Sequence, residues 1–171
     1  MKRWKVYMAK KLYDSKKNSK EFKDISIDLT KKENFTHWTD VTLRFCDQDS
    51  LGHINNVAYG AFVEAARTSL IDGMFSQFKT KSINFVLARL IINFRQEMYY
   101  PGIVNIGALF TRIGSKSFTS HYGLFNDNLC VATAESTNVF FDLSTHESIL
   151  PPKEIRDAIQ SEIQKNPFSS F

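Results

Sequence analysis

The stretch from Asn55 to Phe75 constrains this chain more than any other feature. Drawn as a helix, it places Ala58, Phe62 and Ala65 on one side and Tyr59, Val63, Ala66, Leu70 and Met74 on the adjoining one. Only a narrow remainder carries Glu64, Arg67 and Asp72. A helix laid on a surface keeps a broad polar face, so one this apolar is buried on most sides. The flanking sequence has a different period. Val86, Ala88, Leu90, Ile92 and Phe94 alternate with their neighbours, as do Val104, Ile106, Ala108 and Phe110, and then Phe118, Ser120, Tyr122 and Leu124. A last long run extends from about Leu129 to Phe141, and Val41, Leu43 and Phe45 alternate ahead of the helix. Period two is the strand signal. The order is strand, one long buried helix, then about four antiparallel strands. This is an α+β class in which the sheet must curve around the helix to cover it.

Turn residues punctuate the strands. Tyr100-Pro101-Gly102 suits a type II turn, Gly114-Ser115 a short connection, and Asn126-Asp127-Asn128 a hairpin. Cys130, Ala132, Ala134 and Ser136 form one small-residue face of the last strand, which lets a helix approach closely. Pro151-Pro152 ends the sheet region, and Lys153 to Gln164 reads as a terminal surface helix. No dinucleotide fingerprint, phosphate-binding loop, zinc-protease motif or nucleophile elbow is present.

The 171 residues fit one domain plus a tail. Residues 1–36 hold 11 Lys+Arg and 5 Asp+Glu, whereas residues 37–171 hold 11 and 13. The net +4 therefore belongs to a basic extension, and the body is slightly acidic, which excludes a nucleic-acid footprint on the folded part. Domain boundaries are expected at 1–36 for a disordered basic extension, 37–157 for the folded domain and 158–171 for the helix end and tail. Trp4, Tyr7, Met8 and Leu12 share a helical face in residues 1–13, so a mitochondrial targeting helix is the alternative to a cytoplasmic location. No apolar run approaches the ~20 residues of a transmembrane helix. Cys46 and Cys130 stand apart from each other and from any Cys/His cluster, and read as reduced, buried small hydrophobes. No metal or cofactor site is expected.

The chemistry concentrates in Arg44 to Tyr59. Asp47, Asp49 and His53 lie in the loop that feeds the start of the buried helix. A helix N-terminus presents unpaired N–H groups and a positive dipole end, which suits a carbonyl oxygen becoming an oxyanion. A carboxylate beside it can attack the carbonyl or activate water. A calcium loop is excluded, because its fifth and twelfth positions would be Leu51 and Ala58. His53 reads as orienting the loop, and Cys130 has no neighbouring base.

Arg44, Asp47, Asp49, Gly52, His53, Asn55, Asn56, Tyr59, Glu64, Ala66 and Arg67 together resemble the signature of the 4-hydroxybenzoyl-CoA thioesterase family of hot-dog proteins. The resemblance runs on through Pro101-Gly102 and Gly114 to Ser117, over roughly residues 37–157. It implies a five- or six-stranded antiparallel sheet wrapped around one long central helix, a homodimer or homotetramer, and hydrolysis of an acyl-CoA. It implies that Asp49 is the catalytic carboxylate, that the N–H near Asn56 polarises the thioester carbonyl, and that His53 assists. Tyr59 and Ser117 then contact substrate, and Arg112 and Lys116 meet the nucleotide phosphates. Glu64 has its i,i+3 partner in Arg67, which suggests an ion pair. An acyl-ACP thioesterase and a non-catalytic acyl-CoA binder are the alternative readings.

Overall fold

The computed structural model describes residues 27–76, 78 and 84–166. The targeting-helix expectation for residues 1–13 lies outside the described residues. Strand β1 spans His37–Thr42, helix α1 Asn56–Phe75, β2 Asn84–Phe94, β3 Ile103–Ile113, β4 Ser117–Asn126, β5 Leu129–Asp142, β6 Glu147–Ser148 and helix α2 Lys153–Lys165. All strand pairs are antiparallel. The sheet order is β1-β3-β4-β5-β2, with the short β6 also pairing with β5. This is the hot-dog arrangement expected, with α1 enclosed by the sheet. No helix among the described residues is long and apolar enough to cross a membrane.

The periodicities place the core. Val104, Ile106, Ala108 and Phe110 of β3 and Phe118, Tyr122 and Leu124 of β4 face α1, meeting Tyr59, Phe62, Val63, Ala66, Leu70 and Ile71. Arg67 departs from expectation. It is buried rather than part of an outward polar stripe, donating to Asn138 Oδ1 of β5 at 3.1 Å and to Glu64 Oε1 at 2.7 Å. Asn138 continues to Ser136, which bonds the Tyr122 hydroxyl at 2.8 Å. A guanidinium can be enclosed under α1 only because this polar chain and Glu64 meet it.

Three strand expectations change at irregularities. β1 stops at Thr42, and Phe45–Asp47 forms a 3₁₀ turn, because the Asp47 carboxylate takes both the Arg44 N–H and its guanidinium. Cys46 is consequently exposed. A register shift between Leu87 and Arg89 breaks the alternation of β2, so Phe85, Leu90 and Ile92 face the core and Val86 does not. A second shift inserts Val131 into the core and sends Cys130 to the opposite sheet face. An extra residue in one strand inverts the faces beyond it, which period-two reading cannot anticipate. At Tyr100-Pro101-Gly102, Gly102 lacks the positive φ a type II turn requires. The hairpin at Asn126 is as expected, with Asp127 and Asn128 both left-handed.

The packed region starts earlier than residue 37. Phe35 is 5% exposed and lies across Gly107 and Gly123, a cross-strand pair on the sheet face away from α1. Ile27, Leu29, Leu109, Phe125 and Cys130 complete this second cluster. Residues 27–36 thus belong to the domain rather than to the extension. At the other end α2 buries Ile155, Ile159 and Ile163 in the main core, so a boundary at 157 cuts through an integral helix.

Candidate active site

The loop between β1 and α1 is shaped by its own polar side chains. Asp47 is 4% exposed and holds Arg44 through Nη2–Oδ1 at 2.6 Å, and its carbonyl accepts the Asn55 N–H at 2.8 Å. The Arg44 hydrogen bonds hold the Asp47 carboxyl below the ordinary carboxylate range. Asp47 is therefore committed to folding the loop. Asp49 closes the next turn. Its N–H donates to the His53 carbonyl at 2.8 Å, and its Oδ1 accepts the N–H groups of Leu51 at 2.8 Å and His53 at 3.3 Å. Gly52 sits inside this turn at φ +84. Asp49 Oδ2 takes no hydrogen bond among the described residues, and so one oxygen is fixed and the other is open.

Helix α1 begins where this loop ends. The Asn55 side chain caps it by accepting the Val57 N–H at 2.9 Å, and the Asn55 carbonyl takes the Ala58 N–H at 2.9 Å. The Asn56 N–H is left without a partner among the described residues. Asp49, His53, Asn56 and Tyr59 line a cleft of about 280 Å³ together with Ile54, Phe94, Arg95, Gln96 and Glu97. Tyr59 is buried, with Phe94 edge-on at 5.1 Å, and burial pushes its hydroxyl up in pKa. The cleft thus combines an open carboxylate oxygen, an unpaired helix-start N–H and an aromatic wall.

The sequence shows Phe94 as part of a strand but not the stretch from Phe94 to Glu97 as a wall of the site. That stretch is the end of β2 and the segment after it, brought back to the loop by the Ile54 N–H to Met98 carbonyl bond at 2.8 Å and the His53–Tyr99 bridge. Nothing local in those residues signals that return. Arg112, Lys116 and Ser117 are not brought to the cleft within one chain. Ser117 pairs with Val139 of β5, whereas Phe94 pairs with Ala132. The separation along β5 from Ala132 to Val139 is about 23 Å at about 3.3 Å per residue. Lys116 Nζ donates to the Ser148 carbonyl at 2.5 Å. Burial pushes the Cys130 thiol up in pKa, away from the thiolate a nucleophile needs.

A larger cavity, about 470 Å³, opens near the other end of α1 between Leu70, Met74, Phe110 and α2. Its ionisable lining groups are His37, Glu162 and Lys165, and the last two pair at 2.6 Å. Among the described residues it has no carboxylate beside a helix start, unlike the smaller cleft.

Residues 43–159 match the family described as the thioesterase-like superfamily. The long-chain acyl-CoA thioesterase FadM of Escherichia coli (strain K12) is 25% identical over 130 residues, covering 74% of this chain and 98% of FadM. Among solved structures, the PA5185 protein of Pseudomonas aeruginosa strain PAO1 superposes with a TM-score of 0.68 at 22% identity, over 77% of this chain and 94% of that one. A predicted thioesterase from Bacillus stearothermophilus gives 0.66 at 25% identity, over 74% and 96%.

Proposed function

The chain belongs to the thioesterase-like superfamily and is a thioester hydrolase of hot-dog fold, and we propose that its substrate is an acyl-CoA cleaved in the cleft between Asp49 and the start of α1. The observation that carries this reading is the pairing of an open Asp49 Oδ2 with the unpaired Asn56 N–H at one helix terminus. The acyl-CoA class is supported by the similarity to FadM. The motif from Arg44 to Arg67 supports placing the chain near the 4-hydroxybenzoyl-CoA thioesterases within the superfamily. The thioester carbonyl points at the Asn56 N–H, where the helix dipole stabilises the negative charge that grows on oxygen. Asp49 Oδ2 takes a proton from attacking water, or itself attacks the carbonyl carbon. Tyr59 and Phe94 flank the acyl group.

The working unit in this proposal is at least a dimer, located in the cytoplasm. β2 is an edge strand with Val86, Leu87 and Phe94 between 39% and 49% exposed, and a long apolar edge favours pairing with a second copy. Antiparallel pairing of two β2 strands would turn Arg112, Lys116 and Ser117 of one chain toward the cleft of the other, where they could meet the CoA arm and phosphates. A hydrolysis screen across short, long and aromatic acyl-CoAs, with free thiol as the readout, tests the function. No turnover of any of them, with simple binding retained, would make the chain a binder instead.

A further inference from the structure

The cleft holds a second carboxylate that the reading above leaves without a role. Glu97 Oε2 accepts the Tyr99 hydroxyl at 2.7 Å and stands 3.6 Å from His53 Nε2. Tyr99 also sets its ring edge-on to the imidazole at 5.1 Å. The same His53 holds Asp49 through its backbone N–H and carbonyl. One residue therefore carries the Asp49 turn on its main chain, and its side chain faces an aromatic ring and, at 3.6 Å, a carboxylate on the far wall. His53 Nδ1 has no hydrogen-bond partner among the described residues.

We propose that Glu97 is a positioning residue, which with Tyr99 holds the His53 imidazolium so that its Nδ1–H is given to the departing thiolate. This rests on the acyl-CoA hydrolase reading. Water adds through oxygen to the thioester carbon and loses a proton to Asp49. The C–S bond breaks with its electron pair on sulfur, and sulfur takes the Nδ1 proton from His53. A carboxylic acid and a thiol leave. Solvent then carries the Asp49 proton away and returns one to the imidazole, so nothing is consumed but water. The Glu97 carboxylate faces the Nε2 edge of the ring, which leaves the Nδ1 edge to the leaving group.

The test compares two thioesters of one acyl group in the full-length protein: the acyl-CoA, and the ester of 5-thio-2-nitrobenzoate, whose thiolate leaves as a stable anion and needs no proton. Glu97→Gln can still accept from Tyr99 but loses the charge. It should lower kcat on the acyl-CoA about 10-fold, a part of the ~10²–10⁴ that general acid–base help supplies, with KM little changed. Turnover of the thionitrobenzoate ester should stay close to wild type. Tyr99→Phe should show the same selectivity with a smaller loss. Equal losses on both esters would mark a merely structural residue and overturn the proposal, as would an unchanged kcat on the acyl-CoA. A wild type that cleaves neither ester would instead sink the activity reading on which this role depends.

Discussion

At the scale of single residues, Asp47 and Asp49 share a chemistry and differ in what surrounds them. Asp49 has an open oxygen in the cleft, and so Asp49→Asn should leave folding and acyl-CoA binding intact while kcat falls ~10²–10⁴-fold. Steady-state kinetics beside calorimetric binding reads this, and a near-normal kcat would refute the proposed role. Asp47 has both oxygens engaged by Arg44. Asp47→Asn should act on stability first, costing about 1.5–3 kcal/mol as a buried hydrogen bond to a charged group is weakened. Its pH dependence follows from the lowered carboxyl pKa in the folded state. That contribution is fully present above the unfolded value of about 3.9 and is lost as pH falls through the folded value. The gap between wild type and Asp47→Asn in denaturant unfolding should therefore be widest near neutrality and narrow below about pH 4. A gap independent of pH would show that the carboxylate is not the stabilising group.

Among the elements, the segment 27–36 and the glycine pair beneath it make the sharpest claim. A Cβ on Gly123 would lie 2.6 Å from the Leu29 carbonyl oxygen and 2.7 Å from Phe35 Cε2, and one on Gly107 would enter the Phe35 ring. Gly123→Ala should displace the segment and cost about 1–3 kcal/mol, the usual range for overpacking. Truncation before Thr36 removes Phe35 and should destabilise by about 3–5 kcal/mol, as loss of a buried phenylalanine does. Truncation before Ile27 should leave thermal unfolding and turnover close to wild type, consistent with the Lys-rich, core-poor composition of that stretch. Equal stability of the two truncated forms would show that Phe35 contributes nothing. The sequence shows 1–36 as one basic block, because charge dominates its composition. The single aromatic that anchors its end is recognised only beside the two glycines it covers.

On the scale of the whole molecule, the proposed site and the proposed assembly depend on each other. If β2 pairs across a two-fold, light scattering at micromolar concentration should report a dimer or larger, and a monomer would refute it. In that assembly Lys116→Ala and Arg112→Ala should raise KM with kcat little changed, and the effect should shrink with salt because exposed charges are screened. An unchanged KM at low salt would remove both from the phosphate site. Local period and local motif were legible along the chain. The all-round apolar helix demanded a covering sheet, the alternations supplied strands β2 to β5, and Asp49 to Asn56 placed a carboxylate beside a helix start. The remainder depended on contacts between distant segments. The irregularities between Leu87 and Arg89 and at Val131 inverted faces that a strict period of two assigns otherwise. The burial of Arg67 required Asn138, 71 residues away. The second wall of the cleft, with Glu97, came from a strand end far along the chain from His53. Each of these is a contact between distant segments, and its free energy exists only once the sheet has brought the partners together.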